Sequence, residues 1–489
     1  MTKLLPEVFV SYAKIAPQVS KDFKKGKLRK LGSKVYTTNL KDPPELLIKR
    51  HVWFLVQELF PDSVIVDRTA LEHRPALDGS IFLASKKKRA IFLPGLSIYP
   101  RKGKGPLADD KPFMGKLYLS SPARAYLENL CFRRKRNIGV PRTLARKEIE
   151  ERLEMLLQGA GISALQTLRD EAKKIAPTLG LEKECKVLEG LIGTMLGTRT
   201  IPLSSNAAIA RIQGLPYDSK RLDLFQKLYE SLALISIKER IISCADSSLP
   251  FFEAYFSNFI EGTEFKVEEA AEIIFQGKIP KNRPKDAHDI LGTYQLTSDI
   301  QEMTKCPQTE DELISLLKRR HALLMQGRPE LRPGEFKTHL SQAGSTLFVA
   351  PDLVEGTLRK GFQWLSWLNS PFQRAIYMMF LITEVHPFTD GNGRCARIMM
   401  NAELIAKGQA RIIIPTIFRS NYLSALKAMT HQTRPDPLIR SLDFAQTYTS
   451  LIDWTDFKTA HKMLLGTHAF EDSNTAELTG KRLTLPNRT

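Results

Sequence analysis

Cysteine is scarce in this chain and forms no pattern. Five occur in 489 residues, at positions 131, 185, 244, 306 and 395, with no CxxC pair among them. That distribution argues against a disulfide-stapled scaffold or a cysteine-built zinc site, and fits free thiols in a reducing compartment. Long apolar runs are also missing: Ala375 to Thr383 is among the longest and is too short to span a bilayer. The opening residues do not read as a signal peptide, because Pro6 and Glu7 interrupt any apolar stretch. A cytoplasmic protein with no membrane partner is therefore expected. Acidic residues are outnumbered, 53 against 72 Lys and Arg, for a net charge of +19. Such an excess attracts polyanions, nucleic acid first among them. With 43% hydrophobic and 26% charged residues the composition is globular, and the length calls for roughly two to four domains.

The most informative stretch is His386-Pro387-Phe388-Thr389-Asp390-Gly391-Asn392-Gly393-Arg394, followed by Arg397. Phe372 to Val385 upstream and Arg394 to Lys407 downstream both read as helices, so the stretch is an interhelical loop. Its inventory suits a phosphate ester. Gly391 and Gly393 allow backbone N–H groups to turn toward an anion, and the next helix presents its positive end there. Arg394 and Arg397, three apart, share a helix face and can clamp outer phosphates. Asp390 is a single hard carboxylate, suited to a Mg²⁺ that keeps waters and takes other ligands from phosphates. His386 titrates near neutrality and can take a proton from an attacking hydroxyl. Cys395, next to Arg394, reads as a packed thiol.

This loop resembles the Fic family signature HPFx[D/E]GNGRxxR at every stated position. The resemblance implies that His386 is a general base and that Thr389, Asp390, Gly391, Asn392, Gly393, Arg394 and Arg397 hold ATP, with Mg²⁺ on Asp390. It implies AMP transfer to a Ser, Thr or Tyr hydroxyl of a protein, the chain itself included. Tyr422, on a helix expected to flank the nucleotide together with Asn401, would contact the base; Leu423 stands where the family commonly has a second tyrosine. Upstream, Ser257-Asn258-Phe259-Ile260-Glu261-Gly262 resembles the family's inhibitory motif [S/T]xxxE[G/N]. Taken alone it is a helix with Ser257 and Glu261 at i, i+4, stopped by Gly262. By resemblance Glu261 pairs with Arg397 and fills the γ-phosphate position, making the enzyme autoinhibited. Two departures from the helical pattern, at 332–337 and 346–351, resemble the family's β-hairpin flap, although Lys337 stands where Arg is more frequent.

Residues 1–50 hold twelve Lys or Arg against four acids, a local excess of eight. Phe9 to Ile15 and Val19 to Lys25 read as two short helices. Leu28 to Leu31 and Lys34 to Thr37 read as a hairpin turning at Gly32-Ser33. Together they predict a winged helix-turn-helix whose Gln18, Ser20, Lys21, Lys24 and Lys25 face double-stranded DNA. The run KKGKLRKLGSKVYTTN (24–39) and the chain to about 140 are similar to AbiEi-type antitoxin-like regulators.

The expected fold is mostly α: an all-helical Fic core with a short β-hairpin flap, plus an N-terminal winged helix and a small α/β unit. The boundaries are 1–50 (winged helix), 51–140 (α/β unit), 141–205 (connecting helices), 206–465 (Fic domain with inhibitory helix) and 466–489 (flexible tail). Lys86 to Arg89 is placed at a hairpin tip, and Arg133 to Arg136 forms a second basic cluster. Leu222 to Cys244 is read as one long helix. Removal of AMP from a modified partner, and a DNA-bound regulator whose Fic region senses nucleotide, remain alternative activities; a homodimer remains open.

Overall fold

The computed structural model describes residues 5–131, 139–241 and 248–486; Arg133 to Arg136 and Cys244 lie outside them. The chain divides into two compact units, Met1–Ile212 and Gln213–Thr489.

The first unit opens with β1 (Val8–Val10), α1 (Ala16–Lys24), β2 (Arg29–Gly32) and β3 (Val35–Thr37), giving an antiparallel sheet of order β1-β3-β2. The helix expected over Phe9 to Ile15 is therefore a strand at its start. A strand sends successive side chains to opposite faces, and both faces are covered here. Val8 packs with Val35, Leu47 and Leu55, whereas Phe9 packs with Val19 and Leu28. The two-helix element of the predicted helix-turn-helix is consequently absent from residues 9–25, and α1 follows a strand. The hairpin turn also differs. Gly32 pairs with Val35, so Ser33-Lys34 is the loop, with Lys34 at φ 64°. A Cβ on Gly32 would collide with the end of the Leu93 side chain.

The unit continues through α2 (Pro44–Arg50), α3 (Val52–Leu59), β4 (Val64–Ile65), α4 (Asp67–Glu72), β5 (Ser80–Ala84), β6 (Ile91–Leu93), β7 (Leu96–Arg101), β8 (Lys111–Pro112) and β9 (Tyr118–Leu119). The second sheet runs β6-β7-β5-β4-β9-β8, with β5/β7 and β4/β9 parallel. Because β7 lies between β5 and β6, Lys86 to Arg89 is not a hairpin tip; it lies in the connection to a non-adjacent strand. Its Lys87 ammonium sits 5.6 Å from the Phe60 ring centroid. Helices α5 (Pro122–Leu130), α6 (Arg146–Leu179, broken at Gly161), α7 (Glu182–Met195) and α8 (Asn206–Ile212) complete the unit.

The second unit is almost wholly helical: α9 (Ser219–Ala233), α10 (Leu249–Ile260), α11 (Val267–Gln276), α12 (Pro284–Ser298), α13 (Ile300–Met303) and α14 (Glu310–Leu324) precede a two-stranded hairpin, β10 (Gln342–Ala343) and β11 (Thr346–Leu347). Then follow α15 (Val354–Leu365), α16 (Pro371–Val385), α17 (Asn392–Ile405), α18 (Arg419–Gln432), α19 (Asp436–Leu451), α20 (Phe457–Gly466) and α21 (Ser473–Thr479). Every residue from Ala375 to Ile382 is buried, so neighbours cover the middle of α16 on all its faces. Helix α9 stops at Ala233, short of the predicted Cys244, where Gln373 Nε2 donates to the carbonyls of Leu232 and Ile235 at 2.9 and 3.1 Å. Those bonds satisfy helix-end acceptors. Nor are residues 466–486 a loose tail. Asp472 caps α21, Ala469 and Ala476 are buried, and Ser473 Oγ lies 2.9 Å from Ser420 Oγ. Among the described residues no helix is long and apolar enough to cross a membrane.

Candidate active site

The site forms where α16 ends and α17 begins. His386 closes α16 in the left-handed region, φ 53°, ψ 61°, a conformation rare for a residue with a side chain. It turns the chain sharply while its N–H still bonds Ile382 O at 2.9 Å. Gly391, at φ 75°, is the N-cap of α17 with no side-chain cap. A Cβ there would come within 2.8 Å of Met325 Sδ, so glycine serves both the dihedral and the close approach. The first N–H groups of an α-helix have no partner within the helix, and no side chain caps those of α17.

The loop is braced internally. Asn392 Oδ1 accepts the Phe388 N–H at 2.8 Å, and Nδ2 donates to Phe388 O at 2.9 Å. The Asn392 amide, expected among the groups that hold ATP, thus also bonds the loop backbone through both its atoms. A second brace, not read from the sequence, is His321 on α14. Its ring stacks on Phe388, with centroids 3.6 Å apart and planes 1° apart. Nδ1 accepts the Gly334 N–H at 2.9 Å, which leaves Nε2–H to donate to Asp390 O at 3.0 Å. Burial pushes this imidazole down to about 4, so it is neutral at pH 7, as the bonding pattern requires.

His386 lies against the hairpin. Phe348 stacks on its ring at 3.8 Å and 7°. Nδ1 is buried and makes no hydrogen bond of good geometry among the described residues. Burial first, and the Lys337 charge second, push His386 down to about 4; the Thr383 carbonyl, Glu261 and Asp390 act the other way. The imidazole is therefore unprotonated at neutral pH, the form that accepts a proton.

The two arginines are both buried. Arg397 Nε donates to Ser257 Oγ at 3.0 Å, and its Nη2 donates to Ser257 O at 2.8 Å and Glu261 Oε1 at 2.7 Å. Ser257 and Glu261, one helical turn apart at the end of α10, thus hold one guanidinium, and Gly262 at φ 89° ends that helix. A Cβ on Gly393 would collide with Glu261 Oε1, so the carboxylate rests directly on the first turn of α17. Arg394 Nη1 lies 2.9 Å from Asp289 Oδ2 and 3.4 Å from Asn258 Oδ1. Asp289 also takes Arg328 at 2.7 Å. Neither Asp289 nor Asn258 stood out in the sequence, because their partner lies more than a hundred positions away. Asp289→Ala should cost about 3–5 kcal/mol, since it leaves buried guanidinium charge uncompensated; urea denaturation measures it.

Asp390 remains half-exposed, at 49% of its side chain, 3.7 Å from Arg394 and with Oδ1 accepting the Gly391 N–H at 2.6 Å. No group of three metal-ligating side chains occurs among the described residues. The donor set fits a hard cation that draws its remaining ligands from phosphate and water. Thr389 is exposed beside it. Tyr422, expected at the base, is fully buried, with its hydroxyl 3.3 Å from Met379 Sδ and beside Arg397. Asn401 is likewise enclosed, bonded to Glu253 at 2.7 Å and to Ile412. Cys395 is buried, and burial pushes its thiol up to about 12, which excludes a nucleophile. In the first unit, Gln18, Ser20, Lys21, Lys24 and Lys25 are all exposed on or just beyond α1.

Residues 312–404 match the sequence model of the Fic/DOC family. The chain is 24% identical over 214 residues to "Protein adenylyltransferase Fic" of Drosophila persimilis, covering 43% of this chain and 42% of that protein. It is 24% identical over 181 residues to "Protein adenylyltransferase fic-1" of Caenorhabditis elegans, covering 36% of each. The chain thus spans less than half the length of these curated relatives. Among solved structures it is similar to Fic-1 (residues 134–508) from C. elegans, at 19% identity and a TM-score of 0.36, over 62% of this chain and 86% of that one.

Proposed function

We propose that the second unit is a protein adenylyltransferase held inactive by Glu261. The observation that carries this reading is the meeting, at one helix start, of an unprotonated imidazole, uncapped N–H groups and two buried guanidinium groups, one of them bound by a carboxylate from α10. His386 takes the proton of a protein hydroxyl. That oxygen bonds to the α-phosphorus of ATP as the bond to the bridging oxygen breaks, and pyrophosphate leaves. The first N–H groups of α17 hold the α-phosphate, and Arg394 and Arg397 hold the outer phosphates. Asp390 would hold Mg²⁺, which when bound offsets charge on the phosphates. Positioning and electrostatics supply most of the acceleration in such transfers. Glu261 denies Arg397 to the nucleotide through a charge-assisted pair. The test is incubation of Glu261→Gly with lysate and ATP labelled at the α- or the γ-phosphate. Retention of the α-label alone supports AMP transfer; retention of the γ-label, or of neither, refutes it.

The first unit is proposed to bind duplex DNA through α1, whose exposed Lys21, Lys24 and Lys25 form a cationic face. Phosphate contacts give a salt dependence of about 0.9 logarithmic units per neutralised phosphate. Replacing the three lysines by alanine should lower the slope of log affinity against log salt by roughly 2–3, read by fluorescence anisotropy on mixed-sequence duplex. An unchanged slope rejects this face.

A further inference from the structure

Lys337 is buried at 4% exposure, and no carboxylate pairs with it among the described residues. A buried ammonium without a counter-charge is costly, and this one lies in the segment leading to β10. Its backbone N–H donates to Pro387 O at 2.9 Å, which ties that segment to the residue after His386. Its Nζ donates to Ser341 Oγ at 2.7 Å and lies 5.9 Å from the ring centroid of Phe348, the ring that stacks on His386. The groups around the pair are few. Glu261 from the end of α10 and Asp390 from the loop face His386. Arg221 of α9 faces Lys337 and is itself held by Glu384 of α16. Lys337 thus brings a positive charge to the side of the imidazole where Phe348 stacks, with Glu261 and Asp390 of opposite sign.

We propose that Lys337 is a positioning residue for the base, which through its bond to Pro387 O and its place over the Phe348 ring holds the His386 imidazole and brings an ammonium close to it. The inference rests on the adenylyltransferase reading and adds a residue to it. Burial contributes the larger part of the depression at His386 and Lys337 the next, so removing the ammonium restores only part of the ordinary value. Burial also lowers Lys337 itself to about 8, with Arg221 adding to the effect; the group is still mostly protonated at pH 7.

The test uses the full chain in the Glu261→Gly background, with Lys337→Met and Lys337→Arg compared against it. Two readouts are taken: the pH profile of AMP transfer, and the titration of the His386 ring proton by NMR, identified by its loss in His386→Gln. In Lys337→Met the imidazole midpoint and the acid limb of the profile should both rise by about one pH unit, as expected for loss of one nearby like charge. Transfer at pH 5 should fall roughly twofold, and more steeply below it, while transfer at pH 8 is retained. Lys337→Arg should restore both midpoints. A merely structural lysine would lower activity at every pH and leave the midpoint in place. An unchanged midpoint in Lys337→Met overturns the proposal, whatever the activity. If Glu261→Gly transfers nothing, the adenylyltransferase reading fails, and the NMR titration alone still decides the electrostatic claim.

Discussion

Glu261→Gly should transfer AMP roughly 10²-fold faster than the parent chain at limiting ATP. The estimate follows from what the substitution releases. The carboxylate bonds Arg397 at 2.7 Å and lies on the first turn of α17. For ATP to use that guanidinium, the pair must separate. Separation of a close, partly buried pair costs a few kcal/mol, and each 1.4 kcal/mol is about tenfold. The side chain of Glu261 is 34% exposed, so solvent screening moderates the cost and places the gain near two orders of magnitude. Because Ser257 holds the same guanidinium through Oγ and the carbonyl, the substitution should leave Arg397 in place. The gain should therefore appear in activity together with a lower melting temperature, because the buried Arg397 charge loses its carboxylate. Initial rates with α-labelled ATP, together with a thermal melt, check both parts. If incubation with an AMPylated partner shows the parent chain removing AMP, the role of Glu261 is to position water, and the inhibitory account falls.

His386→Ala in the same background should lower transfer by roughly 10²–10⁴-fold, the range for loss of a general base. Nucleotide affinity should change little, because the groups assigned to the phosphates are α17 N–H groups and arginines, none of which bonds the imidazole. One structural consequence needs a control. His386 adopts a left-handed conformation at the end of α16, so alanine there carries backbone strain. His386→Asn, which tolerates that region, separates chemical from conformational loss. Isothermal titration with ATP beside the rate measurement distinguishes the cases. Equal activity in all three chains removes His386 from the chemistry.

The loop itself was legible because its residue types are individually demanding: two glycines, an amide, a carboxylate and two arginines at fixed offsets point to one ligand. The approach of Glu261 to Arg397 was legible through family resemblance, since 136 positions separate them. What could not be read were the supports. Asp289, Asn258 and His321 look like ordinary helix residues until folding brings them to Arg394 and Asp390. Tyr422, read as a base contact, also supports Arg397 from a buried position. In the first unit, local pattern was outweighed by tertiary cover. Val8 and Phe9 form a strand because packing exists on both sides of it, and Gly32 pairs with Val35, which moves the turn to Ser33-Lys34. The order β6-β7-β5 depends on a crossover that alternation of hydrophobic residues does not encode.

The central claim is that one interhelical loop activates a hydroxyl toward the α-phosphate of ATP while Glu261 restrains it. Its most direct test is mass spectrometry of peptides after Glu261→Gly, alone and combined with His386→Ala, is incubated with ATP, Mg²⁺ and lysate. The account predicts adenylylated Ser, Thr or Tyr with the single variant and none with the double. Equal adenylylation by both, or none by the single variant while it still binds ATP, would contradict it.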